Sequence, residues 1–130
     1  MAGSMVQSHS SNRARFPDDP AFKALRVGDV EGYHRAIQGR QTIDFRGADL
    51  RGCDMRNVDL SRVLLRDAYL READLRGCDL RKHDLEGCSI YNAKISGAFF
   101  PDNIPAEEIR LSLECGTRMR ARKDRPAAGQ

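Results

Sequence analysis

The stretch Ile43-Asp44-Phe45-Arg46-Gly47-Ala48-Asp49-Leu50-Arg51-Gly52-Cys53-Asp54-Met55-Arg56-Asn57 decides the fold, because it repeats a five-residue pattern that continues in phase to residue 102. Every fifth residue from Phe45 is large and apolar: Phe45, Leu50, Met55, Leu60, Leu65, Leu70, Leu75, Leu80, Leu85, Ile90, Ile95 and Phe100. Two residues before each stands Ile43, Ala48, Cys53, Val58, Val63, Ala68, Ala73, Cys78, His83, Cys88, Ala93 or Ala98, all small or apolar except His83. Between the two comes mostly Asp, and Gly recurs two residues after the large one, as at Gly47, Gly52, Gly77, Gly87 and Gly97. Inward positions are therefore separated by steps of two and three in alternation. A step of two is that of a strand, whose alternate side chains share a face. A step of three must contain a backbone reorientation, for which Gly is suited. A helix needs steps of three and four, so an unbroken period of five buries no single helical stripe.

Ala48-Asp49-Leu50-Arg51-Gly52 and Ala73-Asp74-Leu75-Arg76-Gly77 resemble the A-(D/N)-L-x-x motif of pentapeptide-repeat proteins. The resemblance spans residues 41–102 in twelve consecutive repeats. It implies an all-β solenoid: a right-handed quadrilateral β-helix with four pentapeptides per coil, hence three coils here. The large apolar residues would then form an interior stack, from Phe45 to Ile95, with the small ones filling the corners. At strand spacing three coils make a stub only about 10–15 Å tall. Both ends would expose unpaired backbone, which invites association unless covered.

The flanks supply short α-helical caps at both ends. Residues 17–40 read as an N-terminal cap: Asp18-Asp19-Pro20 opens a helix, and two short helices over 20–27 and 30–38 are expected. Residues 103–117 read as the second cap, with Pro105 opening a helix, Glu107 and Glu108 in its first turn and Gly116 as its stop. Residues 1–16 are expected as a tail, Met1–Ser4 resembling residues left by cloning, and 118–130 as a disordered basic tail. Phe99, Phe100, Ile104, Ile109 and Leu113 offer an apolar surface. They either cap their own coil or join two copies, since a C-terminal element often mediates two-fold dimerisation in the family.

The chemistry expected is non-enzymatic. Neither GxSxG, HExxH nor a phosphate-binding glycine loop occurs, and the three histidines, His9, His34 and His83, lack any catalytic context. The carboxylates fall on outward repeat positions, so no tuned acid–base pair is expected. No cofactor or metal site is expected. Cys53, Cys78 and Cys88 occupy the small inward position on three faces of three coils, too scattered to bridge one another, and pack as small hydrophobes. His83 reads as a corner histidine hydrogen-bonded to backbone. With no secretory signal, no membrane-length apolar run and no zinc spacing among the cysteines, a cytoplasmic setting is the default.

After the large residue comes a basic series, Arg46, Arg51, Arg56, Arg66, Arg71, Arg76 and Arg81, interrupted by Ser61. Folding by twenties would place Arg46 over Arg66, Arg51 over Arg71 and Arg56 over Arg76. Residues 41–102 hold ten Lys and Arg against eleven Asp and Glu, so these arginines read chiefly as a solvated coat paired with the Asp columns. The function expected is a small protein-interaction module with another protein as partner. The alternatives are nucleic-acid binding through the Arg columns, a dimeric scaffold, and modulation of a type II topoisomerase (DNA gyrase) by DNA mimicry. The last is implied by the resemblance but suits poorly a chain of net charge +3 with no looping insertion.

Overall fold

The computed structural model describes residues 13–123. In chain order they form α1 (Pro20–Arg26), α2 (Val30–Ile37), β1 (Ile43–Asp44), β2 (Val63–Leu64) and α3 (Ala106–Cys115). Strands β1 and β2 pair in parallel, Ile43 with Val63 and Asp44 with Leu64. Single parallel bridges repeat the same offset: Asp49 with Tyr69, Asp54 with Asp74, Tyr69 with Ser89, Asp74 with Lys94 and Asp79 with Phe99. Each partner lies twenty residues on, four pentapeptides, so the chain returns over itself with that period. The expectation of an all-β architecture is corrected in one respect. Among the described residues regular strand is confined to β1 and β2, because each pentapeptide leaves only two or three extended residues between turns.

The turns account for the steps of three. The amide three residues after the large apolar residue donates to that residue's carbonyl at every repeat but those of Met55 and Phe100, as in Ala48 to Phe45 (3.0 Å) and Ala98 to Ile95 (2.9 Å). Position two of the turn carries positive φ at Gly47, Gly52, Gly77, Gly87 and Gly97, and also at Asp67, Glu72 and Asn92. That is the requirement of a type II turn. Its second amide points along the stack, and Gly47, Gly52, Asp67, Glu72 and Gly77 each donate it to a carbonyl of the next pass, for example Gly52 to Arg71 at 2.9 Å.

Ten of the large apolar residues, Phe45 to Ile90, are buried, while Ile95 and Phe100 are half-buried at the C-terminal end. α1 begins where Asp19 accepts the Ala21 amide (2.8 Å) and Pro20 occupies the first turn. The same carboxylate grips Arg40 at 2.7 and 3.0 Å, tying the end of the cap to its start. Phe22 meets Phe45 edge to face at 5.8 Å, and buried Tyr33 donates its hydroxyl to the Asp59 carbonyl (2.8 Å). Burial pushes that phenol up to about 12.

Two expectations about the tails are corrected. Arg15 is not loose: its amide donates to Gly47 (2.7 Å), its carbonyl accepts from Asp49 (2.9 Å), and it pairs in parallel with Ala48. It thereby covers the first open edge of the repeat. Arg118–Lys123 likewise cross the other end. Met119 is fully buried and exchanges backbone hydrogen bonds with Gly87 and Cys88, both at 2.8 Å. Backbone left unpaired at a stack end costs more than ordering a short strap, which is why both segments lie down. The proposed cloning residues 1–4, His9, and residues 124–130 of the expected tail lie outside the described residues.

Candidate functional site

On the faces of the repeat, the residue before the large apolar position and the residue after it point outward together. Asp at the first and Arg at the second are thus two residues apart on one surface. Arg46 binds Asp44 with its Nε (2.9 Å), its Nη2 (3.0 Å) and its own backbone amide (3.0 Å). Arg56 with Asp54, Arg76 with Asp74, and Arg81 with Asp79 repeat this two-pronged fork at 2.7–2.9 Å. Arg56 also reaches Asp74 on the next pass at 3.2 Å. Arg51 lies 3.7 Å from Asp49. Where the carboxylate position is not Asp the arginine goes elsewhere: Arg66, following Leu64, turns to Asp84 (2.9 Å), and Arg71, following Tyr69, lies over the Tyr91 ring at 4.9 Å. Of the seven arginines, six thus face carboxylates and Arg71 faces a ring. Each fork lowers its carboxylate's pKa, and Arg46 brings Asp44 down to about 2.

The ladder between passes is continuous except at one place. From Asn57 to Leu65, against Gly77 to Asp84, the bridges of Asp59 with Asp79 and of Leu64 with Asp84 that the period calls for are absent among the described residues, as are their hydrogen bonds. The turns there are the reason. Asn57, Arg62 and Lys82 stand at the second turn position without positive φ, so the central peptide is rotated and its amide does not face the next pass. The result is a half-open cleft of about 860 Å³, with Val58, Leu60, Val63 and Leu65 along one lip and Cys78, Asp79, Lys82, His83 and Asp84 along the other. Across it, His83 Nε2 donates to the Leu60 carbonyl at 2.8 Å, while its Nδ1 is buried and has no partner.

With this geometry in view, the comparison with known families is direct: a model of pentapeptide repeats in eight copies matches residues 43–67 and again 68–102. The chain is a pentapeptide-repeat protein. A search of curated proteins found no match to it. Membership points to a non-enzymatic repeat protein.

In this pentapeptide-repeat chain His83 belongs to a short series of corner donors. Cys78 Sγ donates to Met55 (3.4 Å) and Cys88 Sγ to Leu65 (2.9 Å), so each inward side chain reaches the carbonyl twenty-three residues earlier, as His83 does. Burial pushes the Cys53 and Cys78 thiols up, and the Cys88 thiol up to about 12. All four cysteines are free, and only Cys115 is exposed. Among the described residues no cluster of His, Cys, Asp and Glu is placed to hold a metal, and no helix is long and apolar enough to cross a membrane.

At the C-terminal end Ile104 is buried, Phe100, Ile109 and Leu113 pack partly against the core, and Phe99 is exposed. Arg81 lies over the Phe99 ring at 4.8 Å. Sequence reasoning passed over Arg118, which lies over the Tyr69 ring, binds its hydroxyl at 2.6 Å and donates to Gly87 at 2.8 Å. Nothing in the basic stretch Arg118–Lys123 signals this. The odd turns left only a partial signal: Arg62 and Lys82 stand where Gly is common, but Asn57 lacks the positive φ that Glu72 adopts.

Proposed function

We propose that this chain is a non-catalytic protein-interaction module, a right-handed quadrilateral β-helix of three coils that presents ordered, electrically mixed faces to another protein. The family supports the quadrilateral form, and so do parallel bridges at a constant twenty-residue offset. The single observation that carries the functional reading is the set of Asp–Arg forks. Side chains already fixed by their neighbours lose little conformational freedom when a partner docks. Nucleic-acid binding is the weaker reading on the same ground, since those arginines would have to give up their carboxylates to meet phosphates.

The C-terminal apolar residues serve first as a cap. Phe99 and Leu111 remain exposed there, and two side chains fall well short of the roughly 800 Å² per partner of a standard interface.

The test is an affinity capture from lysate, with and without nuclease, using the native chain and a variant carrying Arg46→Glu, Arg56→Glu, Arg76→Glu and Arg81→Glu. A protein retained after nuclease by the native chain and lost by the variant is the expected result. Retention of nucleic acid alone, or of nothing, overturns the reading.

A further inference from the structure

The seam between Asn57–Leu65 and Gly77–Asp84 is a fault in an otherwise regular ladder, and it leaves specific groups without partners. Among the described residues the amides of Leu60, Arg62 and Leu65 and the carbonyl of Val58 make no hydrogen bond on one lip. On the other, the amides and carbonyls of Asp79 and Asp84 make none. The adjoining faces use the same positions fully: Leu50 donates to Tyr69, Met55 to Asp74 and Leu70 to Ser89 at 2.8–2.9 Å. Strand-forming residues are not lacking at the seam, where Val58 and Val63 occupy the inward sites. The lips are therefore unsatisfied because of turn geometry, and such groups take up water or a ligand.

The chemistry of the cleft narrows what that ligand is. Its first lip is aliphatic, from Val58, Leu60, Val63 and Leu65, and Leu64 stands exposed at its edge. The charges around it are nearly all answered: Arg46, Arg56, Arg62 and Arg66 each have a carboxylate within 3.5 Å, and Asp79 and Asp84 are taken by Arg81 and Arg66. Lys82 is exposed and has no carboxylate within ion-pair distance among the described residues. A cation without a direct ion pair, its field reaching Asp79, thus overlooks an apolar trough edged by the Val58 carbonyl and the Leu60, Arg62 and Leu65 amides. His83 adds an acceptor, Nδ1, that lacks a donor. The volume falls within the range of about 300–1,000 Å³ that holds a small ligand or a short peptide.

We propose that this seam is a docking groove for an extended peptide segment of a partner protein, bearing a carboxylate side chain that pairs with Lys82. A peptide backbone offers both donors and acceptors, and so matches the Val58 carbonyl and the Leu60, Arg62 and Leu65 amides together, which a small anion, using Lys82 and one or two amides, does not. The segment would follow residues 58–65, bending with the turn that the Val63 amide closes on the Leu60 carbonyl, and supply the hydrogen bonds that the next pass withholds. This rests on the protein-interaction reading above and adds the place and the class of partner element.

The experiment selects twelve-residue peptides from a phage-displayed random library on the full chain. Synthetic copies are then titrated against the native chain and two variants. Lys82→Glu reverses the free charge at an exposed position. Arg62→Gly permits one of the three missing type II turns and so narrows the seam, and circular dichroism checks that both variants remain folded. Enriched sequences should carry an acidic residue among small apolar ones, and affinity should drop about tenfold or more in each folded variant. Amide exchange at Leu60, Arg62 and Leu65 should slow on binding. No enrichment over a blank support overturns the groove, as does equal binding to Lys82→Glu, or protection confined to other faces. If the lysate partner also binds Lys82→Glu as well as the native chain, the groove assignment fails while the interaction reading stands.

Discussion

Asp44 and Arg46 are two residues apart, and on an extended segment that spacing alone brings guanidinium and carboxylate together. The hydrogen bond from Arg46 is the main cause of the lowered Asp44 pKa, with the neighbouring amide adding to it and partial burial opposing. Its folded value of about 2 lies below the unfolded value near 3.9. Such a group contributes stability in full above the unfolded pKa and loses it as pH falls through the folded one. The Asp54, Asp59, Asp74 and Asp79 carboxylates shift the same way through their own partners. The urea midpoint should therefore stay flat from pH 7 to 5 and decline between about pH 4 and 2. Asp44 and Arg46 are about half exposed, so one such pair is worth only about 0–1 kcal/mol after solvent screening. Asp44→Asn should soften the decline slightly, and a midpoint that rises on acidification would refute the account.

The turn is the element that sets coil against coil. Gly87 has φ 79°, and a β-carbon there would run into the Asp67 carboxylate of the preceding pass. Gly52 has nearly the same backbone, φ 72°, but nothing close to the site of a β-carbon. Gly87→Ala should then cost about 1–3 kcal/mol, and Gly52→Ala about 1 kcal/mol, the cost of left-handed backbone alone. Urea denaturation of the two variants side by side checks the difference. Equal losses would mean that the Asp67 carboxylate moves aside freely. At this scale the repeat and the cap helices were legible because their signals are local: a period of five, Asp19-Pro20 at a helix start, Gly116 in left-handed backbone at a helix end. The extent of regular strand was not, since it depends on how many residues lie between turns.

At the scale of the whole molecule, stability depends on covering two open ends. Arg15 lies on the first; Met119 and its neighbours lie on the second, with Arg120 gripping Glu108 at 2.7 Å and the Ala121 amide bound to Glu86 (2.7 Å). Met119→Ala should cost about 2–5 kcal/mol in equilibrium unfolding and accelerate amide exchange at Gly87, whose acceptor is the Met119 carbonyl. Unchanged exchange there would show the strap to be dispensable. The period of five, the identity of the inward residues and the Asp–Arg spacing are determined by sequence alone, because each concerns residues within one turn of chain. The order of Arg15 and Arg118–Lys123, the commitment of each arginine, and the seam at Asn57–Leu65 were decided only in the tertiary structure. Each depends on what lies twenty or more residues away: an edge whose unpaired backbone must be covered, a carboxylate or ring on the next pass, a turn whose amide finds or misses its acceptor.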